Sequence, residues 1–138
     1  MSEPSLALQY AIFTALTNNA GVTALVGSRV YDRVPPDPTY PLIMIGQDQV
    51  TDSLHECAED CVEIFAQIDV WSEAVGKVEC KKIMGAIKHA LHDTDLGERA
   101  GFDIQDMTFD GSTIVMDEDG ISTHGVMTFR ALVQTATE

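Results

Sequence analysis

Apolar and polar positions change their period three times along the chain. From Pro4 to Asn18 apolar residues recur at helical spacing, but on two sides. Leu8, Ala11, Ile12 and Ala15 share one face, while Leu6, Tyr10 and Phe13 share roughly the opposite one. Ser2 is the candidate N-cap, Pro4 suits a first turn, and Asn18-Asn19 with Gly21 supply the stop. A helix apolar on both sides is either sandwiched within its own domain, with Val22–Val26 folding back over the second face, or shared with a partner. After Gly27 the pattern becomes extended. Val30–Val34 predicts a short strand, halted by the stiff, proline-rich Pro35–Pro41 segment, and Leu42–Ile45 a strand covered on both faces. Gly46–Asp60 is polar and acidic, and reads as an exposed loop or a projecting hairpin tip.

The clearest strand is Cys61–Trp71. Val62, Ile64, Ala66, Ile68 and Val70 face one way, with Glu63, Gln67 and Asp69 on the other, so one sheet face is buried. Phe65 and Trp71 put aromatics on the polar side, where they cover neighbouring strands or meet another chain. A second helix is predicted over Glu73–His92, with Cys80, Ile83, Met84, Ile87, Ala90 and Leu91 as its apolar stripe. Lys77, Lys81, Lys88 and His92 line up beside that stripe. They form either a solvated face lying over apolar surface or a positive strip that meets an acidic neighbour. The last third is extended: Phe102–Phe109, Thr113–Asp117 and Ile121–Gln134, separated by the turn signals Asp110-Gly111 and Glu118-Asp119-Gly120. The acids around Gly120 lack the alternating ligands of a calcium loop, so an ordinary turn is expected.

A length of 138 residues predicts one domain, spanning 1–138. The charge is the unusual quantity: 22 Asp plus Glu against 8 Lys plus Arg, a formal net of −14. Such a surface is repelled by phosphate backbones and anionic lipid, which disfavours nonspecific binding to nucleic acid or membrane. No apolar run reaches the length of a membrane span, and no signal peptide is recognised, so assembly in the cytoplasm is expected. The three cysteines, Cys57, Cys61 and Cys80, are expected to be reduced thiols in core or loop. The competing reading is a small metal-binding domain using His55, Cys57 and Cys61, with Cys80 as a distant fourth ligand.

Catalytic motifs are missing from the sequence. It holds no nucleophile elbow, no phosphate-binding Gly-Lys-Ser/Thr loop, no His-Glu-x-x-His and no Gly-x-Gly-x-x-Gly. Cys80 and His89 sit on opposite faces of one predicted helix, which argues against their pairing. No enzyme activity and no cofactor are expected, and His124, beside Gly125, is structural or exposed.

Three stretches carry a family likeness. The first runs from Leu8-Gln9 through Leu25-Val26-Gly27 to Arg29-Val30-Tyr31-Asp32-Arg33-Val34-Pro35, and on through Tyr40-Pro41-Leu42-Ile43 and Ile45-Gly46. The second is Asp69-Val70-Trp71-Ser72, with Lys81-Lys82-Ile83-Met84 and Ile87–His92. The third is His124-Gly125-Val126 with Phe129-Arg130-Ala131-Leu132. Together they resemble the tail-completion, or tail-terminator, family of long-tailed phages and phage-like gene transfer agents. The acidic stretch from Asp48 to Asp60 has no counterpart in that pattern.

The resemblance implies an α+β fold: a small, mostly antiparallel sheet with two main helices packed against it, in a ring-forming subunit. It implies a homohexamer that caps the head-proximal end of the tail tube, ends tube polymerisation and joins the tail to the head. The implied partners are other copies of the chain, the tail tube protein, a head–tail connector or stopper protein and the tape measure protein. DNA would pass through the ring without specific binding, and the place of action would be the head–tail junction of the particle. A connector or stopper ring is the neighbouring alternative. No residue inherits a chemical role. A closed ring needs two different complementary surfaces per subunit. The candidates for one side are the second apolar face of the first helix (Leu6, Tyr10, Phe13) and the lysine strip (Lys77, Lys81, Lys88), with the acidic loops for the other; Phe65 and Trp71 are further interface candidates.

Overall fold

The computed structural model describes residues 3–52, 61–99, 101–116 and 121–135. In chain order the elements are α1 (Pro4–Thr17), α2 (Ala20–Val26), β1 (Val30–Tyr31), β2 (Leu42–Asp52), β3 (Cys61–Ser72), α3 (Val78–Leu91), β4 (Gly97–Arg99), β5 (Phe102–Met116) and β6 (Thr123–Thr135). The strands make one six-stranded sheet in the order β1-β2-β3-β6-β5-β4. Among the described residues β1 lies parallel to β2 and every other pairing is antiparallel, so the α+β expectation holds there with a mixed sheet and three helices rather than two.

The helices share one core with a single face of the sheet. Leu8, Ile12 and Leu16 of α1, Val22 and Val26 of α2, and Ile83, Ile87 and Leu91 of α3 meet Ile43, Ile64, Ile68, Phe129 and Ala131. The apolar stripe assigned to the second helix is buried in full: Cys80, Ile83, Met84, Ile87, Ala90 and Leu91. At the sheet's centre β3 and β6 pair without irregularity from Cys61↔Gln134 to Ser72↔Thr123. Gly125 lies there directly under α3. A Cβ at this position would sit 2.7 Å from the Met84 sulfur and 2.9 Å from the Cys80 sulfur, so the missing side chain is what lets the helix approach.

Several boundaries differ from the sequence expectation, each for a physical reason. Glu3, not Ser2, caps α1, its carboxylate accepting from the Ser5 amide at 3.3 Å. The helix stops as predicted, but Asn19 at once caps another one, its side chain accepting from the Val22 amide at 3.1 Å. β1 ends at Tyr31 instead of Val34, because its partner β2 bulges between Ile45 and Asp48 and the prolines follow. Past that bulge β2 stays paired with β3 through Asp52, so the first half of the expected acidic loop is strand.

α3 begins at Val78 rather than Glu73. Gly76 takes a left-handed φ of +82°, which a continuous helix excludes, and the Ser72 hydroxyl holds the approach by bonding Glu79 at 2.7 Å. Asp110-Gly111 is a bulge within one continuous β5, between the pairs Phe109↔Phe129 and Gly111↔Thr128, and not a hairpin turn. The expected turn Glu118-Asp119-Gly120 lies outside the described residues.

Two glycines predict opposite outcomes. Gly125→Ala should destabilise the fold by about 1–3 kcal/mol, because Cys80 and Met84 must move. Gly85→Ala, on α3 with nothing within 4 Å of the new methyl, should stabilise it by about 0.5–1 kcal/mol. Urea unfolding midpoints check both.

Candidate assembly surfaces

The outer face of α1 keeps the apolar residues that its spacing placed there. Leu6, Tyr10 and Phe13 are 44%, 46% and 43% exposed, because α2 packs its Val22 and Val26 into the core and leaves that face open. Beside it a groove of about 270 Å³ runs between α1 and β1, lined by Gln9, Tyr10, Phe13, Val30, Tyr31 and Asp32 with Ile45. The Gln9 amide donates to the Asp32 carboxylate at 3.2 Å across the groove. Arg99 of β4 reaches the same helix, 5.9 Å from the Tyr10 ring and donating to the Thr14 hydroxyl at 2.9 Å.

The aromatics of β3 occupy the sheet face that the helices leave bare. Trp71 is stacked on His124 of β6, ring centroids 3.8 Å apart and planes at 12°. His124 Nε2 in turn sits 2.8 Å from the Asp69 carboxylate, which is only 2% exposed and also accepts from the Gln67 amide at 3.1 Å. Gly46 is required beside it: a Cβ there would lie 2.5 Å from Asp69 Oδ2. This cluster was missed at the level of sequence. Alternation puts Asp69 on the polar face, but only the register with β6 brings His124 over it. Phe65 lies across from Arg130 on the same face, and Arg130 is ion-paired with Glu63.

The lysines of α3 separate into two environments. Lys88 places its ammonium 4.6 Å from the centre of the Phe109 ring, a cation resting on apolar surface. Next to it His92 Nδ1 accepts from the Phe109 amide at 2.9 Å, tying the end of α3 to β5. Lys77 precedes the first helical turn without a side-chain capping bond, and Lys81 stands exposed one turn on. The predicted residues therefore occupy three surfaces, α1, the bare sheet face and α3, and do not converge on one pocket.

The cysteine expectation is corrected for one residue. Cys61 is disulfide-bonded, so its sulfur is neither a reduced thiol nor a thiolate available to a metal. Cys80 is free and buried, and burial pushes its thiol pKa up. His55 and Cys57 lie outside the described residues. Among the described residues no group of three or more His, Cys, Asp and Glu side chains could hold a metal ion. At the edge of the molecule, partial burial and the neighbouring Glu3 raise the pKa of Asp48.

The imidazole and carboxylate of the His124–Asp69 pair are spent on each other and on holding Trp71. The surface of the described residues also carries the exposed apolar area of α1 and the lysines of α3. The chain belongs to the tail completion protein gp17 family, whose model matches residues 10–134, and that family is one of structural phage tail proteins.

Two solved structures extend the likeness. A chain of the virion of a native gene transfer agent particle is 26% identical with a TM-score of 0.82, over 97% of this chain and 99% of that one. The bacteriophage SPP1 gp17 protein shares the fold at 21% identity and a TM-score of 0.57, over 97% of this chain and 91% of that one. No curated protein matches the chain in sequence.

Removing the imidazole in His124→Ala leaves the buried Asp69 carboxylate short of a partner and should cost about 1–3 kcal/mol. Because Trp71 is the single tryptophan, its fluorescence should shift to the red in the same variant. Asp48 titrates in the opposite sense from a salt-bridged acid. Its raised folded pKa means that the folded state holds the extra proton, so stability falls as pH rises through the carboxylate range. Asp48→Asn should therefore raise the melting temperature at pH ~7, with the gain shrinking as pH falls and closing only below about pH 3, where the carboxyl is protonated in both states.

Proposed function

We propose that this chain is a tail terminator: a ring, six copies as in the family expectation, seated on the head-proximal end of a phage-like tail tube. In this reading it stops tube growth at the length set by the tape measure protein and joins the tail to the head connector. The observation that carries the reading is the match over 99% of a chain found in a gene transfer agent virion, within a family of tail completion proteins.

The surfaces fit the task. A head-to-tail ring needs two unlike faces on each subunit. The exposed residues Leu6, Tyr10 and Phe13 with the groove beside β1 are suited to one neighbour, and Phe65, Trp71 and the lysines Lys77, Lys81 and Lys88 to other contacts. The formal charge of −14 suits a ring that DNA must traverse without sticking, since basic contacts to phosphate are what bind it.

Electron microscopy of particles from a strain lacking this chain tests the role. Heads without tails, beside free tails of irregular and excessive length, are the expected result. Free tails of normal length would move the chain to the connector or stopper position, and complete particles would remove it from tail assembly.

A further inference from the structure

The sheet ends in two edges that are only half covered, and they are complementary. On one side β4 pairs with β5 only at residues 102–104, Thr94 bridges Met107, and the Phe109 amide is taken by His92. From Gly111 to Met116 the outward edge of β5 has no strand partner among the described residues. On the other side β1 covers β2 only at Ile43 and Met44, so from Asp48 to Asp52 the outward edge of β2 also has no strand partner among the described residues.

An open edge is a template for another strand, and soluble proteins guard such edges with charges, prolines or short length. Gly111-Ser112-Thr113-Ile114-Val115-Met116 has none of these guards, in a chain of which 22% is charged. Ser112, Thr113, Val115 and Met116 are exposed along it, and Thr, Ile and Val favour strand pairing.

We infer that β5 of one copy pairs through residues 111–116 with residues 48–52 of β2 of the next copy, joining the subunit sheets around the ring. Three observations select a second copy as the occupant. Both edges belong to the same chain and lie on opposite sides of the sheet, as a head-to-tail contact needs. Following the antiparallel pairings from β2 through β3 and β6, β5 runs opposite to β2, so neighbours related by rotation meet antiparallel, the stronger pairing. The charge also fits: the β2 stretch carries Asp48 and Asp52, and the β5 stretch carries no acid to repel them.

The short strands fit as well. β4 covers the Phe102 end of β5 and β1 the Leu42 end of β2, which are opposite ends of the sheet. Copies staggered along the strands therefore clear both, and tilted, staggered strands are what close a sheet on itself. The inference rests on the ring proposed above and names its contact.

Hydrogen exchange of the full chain, free and in assembled rings, reads the contact directly. Amides in both 111–116 and 48–52 should exchange at least about tenfold more slowly in the ring. Protection of 111–116 alone would mean that a strand of another protein, or a symmetric β5–β5 pairing, fills the edge, and would overturn the inference. So would a ring with neither stretch protected. The variant Thr113→Asp with Val115→Asp, both at exposed positions, should stay folded by circular dichroism and fail to form rings; rings of normal stability would also overturn it. A wild-type chain that forms no ring, alone or on tails, would overturn the ring reading itself.

Discussion

The pairing of β3 with β6 is the constraint on which the rest of the molecule depends. Twelve residue pairs run from Cys61↔Gln134 to Ser72↔Thr123 without a bulge, and the two faces of that ladder carry different duties. On one face Ile64, Ala66, Ile68 and Val70 meet Ala131, Phe129, Met127 and Gly125, and the helices settle on them. On the other, Asp69 and Trp71 meet His124. A slip of one residue would turn His124 toward α3, where no room exists even for a methyl group, and would strip the buried Asp69 of its partner. The register is thus held from both sides, by sterics at Gly125 and by a hydrogen bond at His124.

That central rigidity contrasts with the periphery. β2 and β5 each leave the regular ladder at bulges, between Ile45 and Asp48 and between Gln105 and Gly111. Beyond them the outer strands β1 and β4 cover only two and three residues. The spare surface, apolar on α1 and strand edge on β2 and β5, lies at this periphery. A rigid centre with sparsely covered margins fits the ring proposed for this chain, in which the margins would meet the neighbours.

Much of this was legible in the residues. The two-sided apolar pattern of α1 is legible in its spacing: Leu8, Ala11 and Ile12 are buried, and Leu6, Tyr10 and Phe13 on the other side are exposed, since α2 does not fold over them. The alternation in Cys61–Trp71 and the stripe on α3 follow from periods of 2 and 3.6, which local sequence records well. The misses share a cause: they are set by pairing across the chain. Asp48–Thr51, polar but for Val50, look like loop or hairpin tip, yet β3 holds them in strand. Asp110-Gly111 look like a turn, yet β6 runs past them and makes a bulge. The Asp69–His124–Trp71 cluster joins residues 55 apart and depends on a register no local pattern encodes. The α2 helix went unrecognised because seven residues hold too few turns to show a period.

The proposed role, ending tail-tube growth by capping one end, can be reconstituted from purified parts. Polymerising the tail tube protein in vitro on its tape measure, with and without the purified chain, tests it most directly. Added chain should halt growth at the tape-measure length, and microscopy should find a ring on one end of each tube. Tubes that keep lengthening, with both ends bare at saturating amounts of the chain, would contradict it.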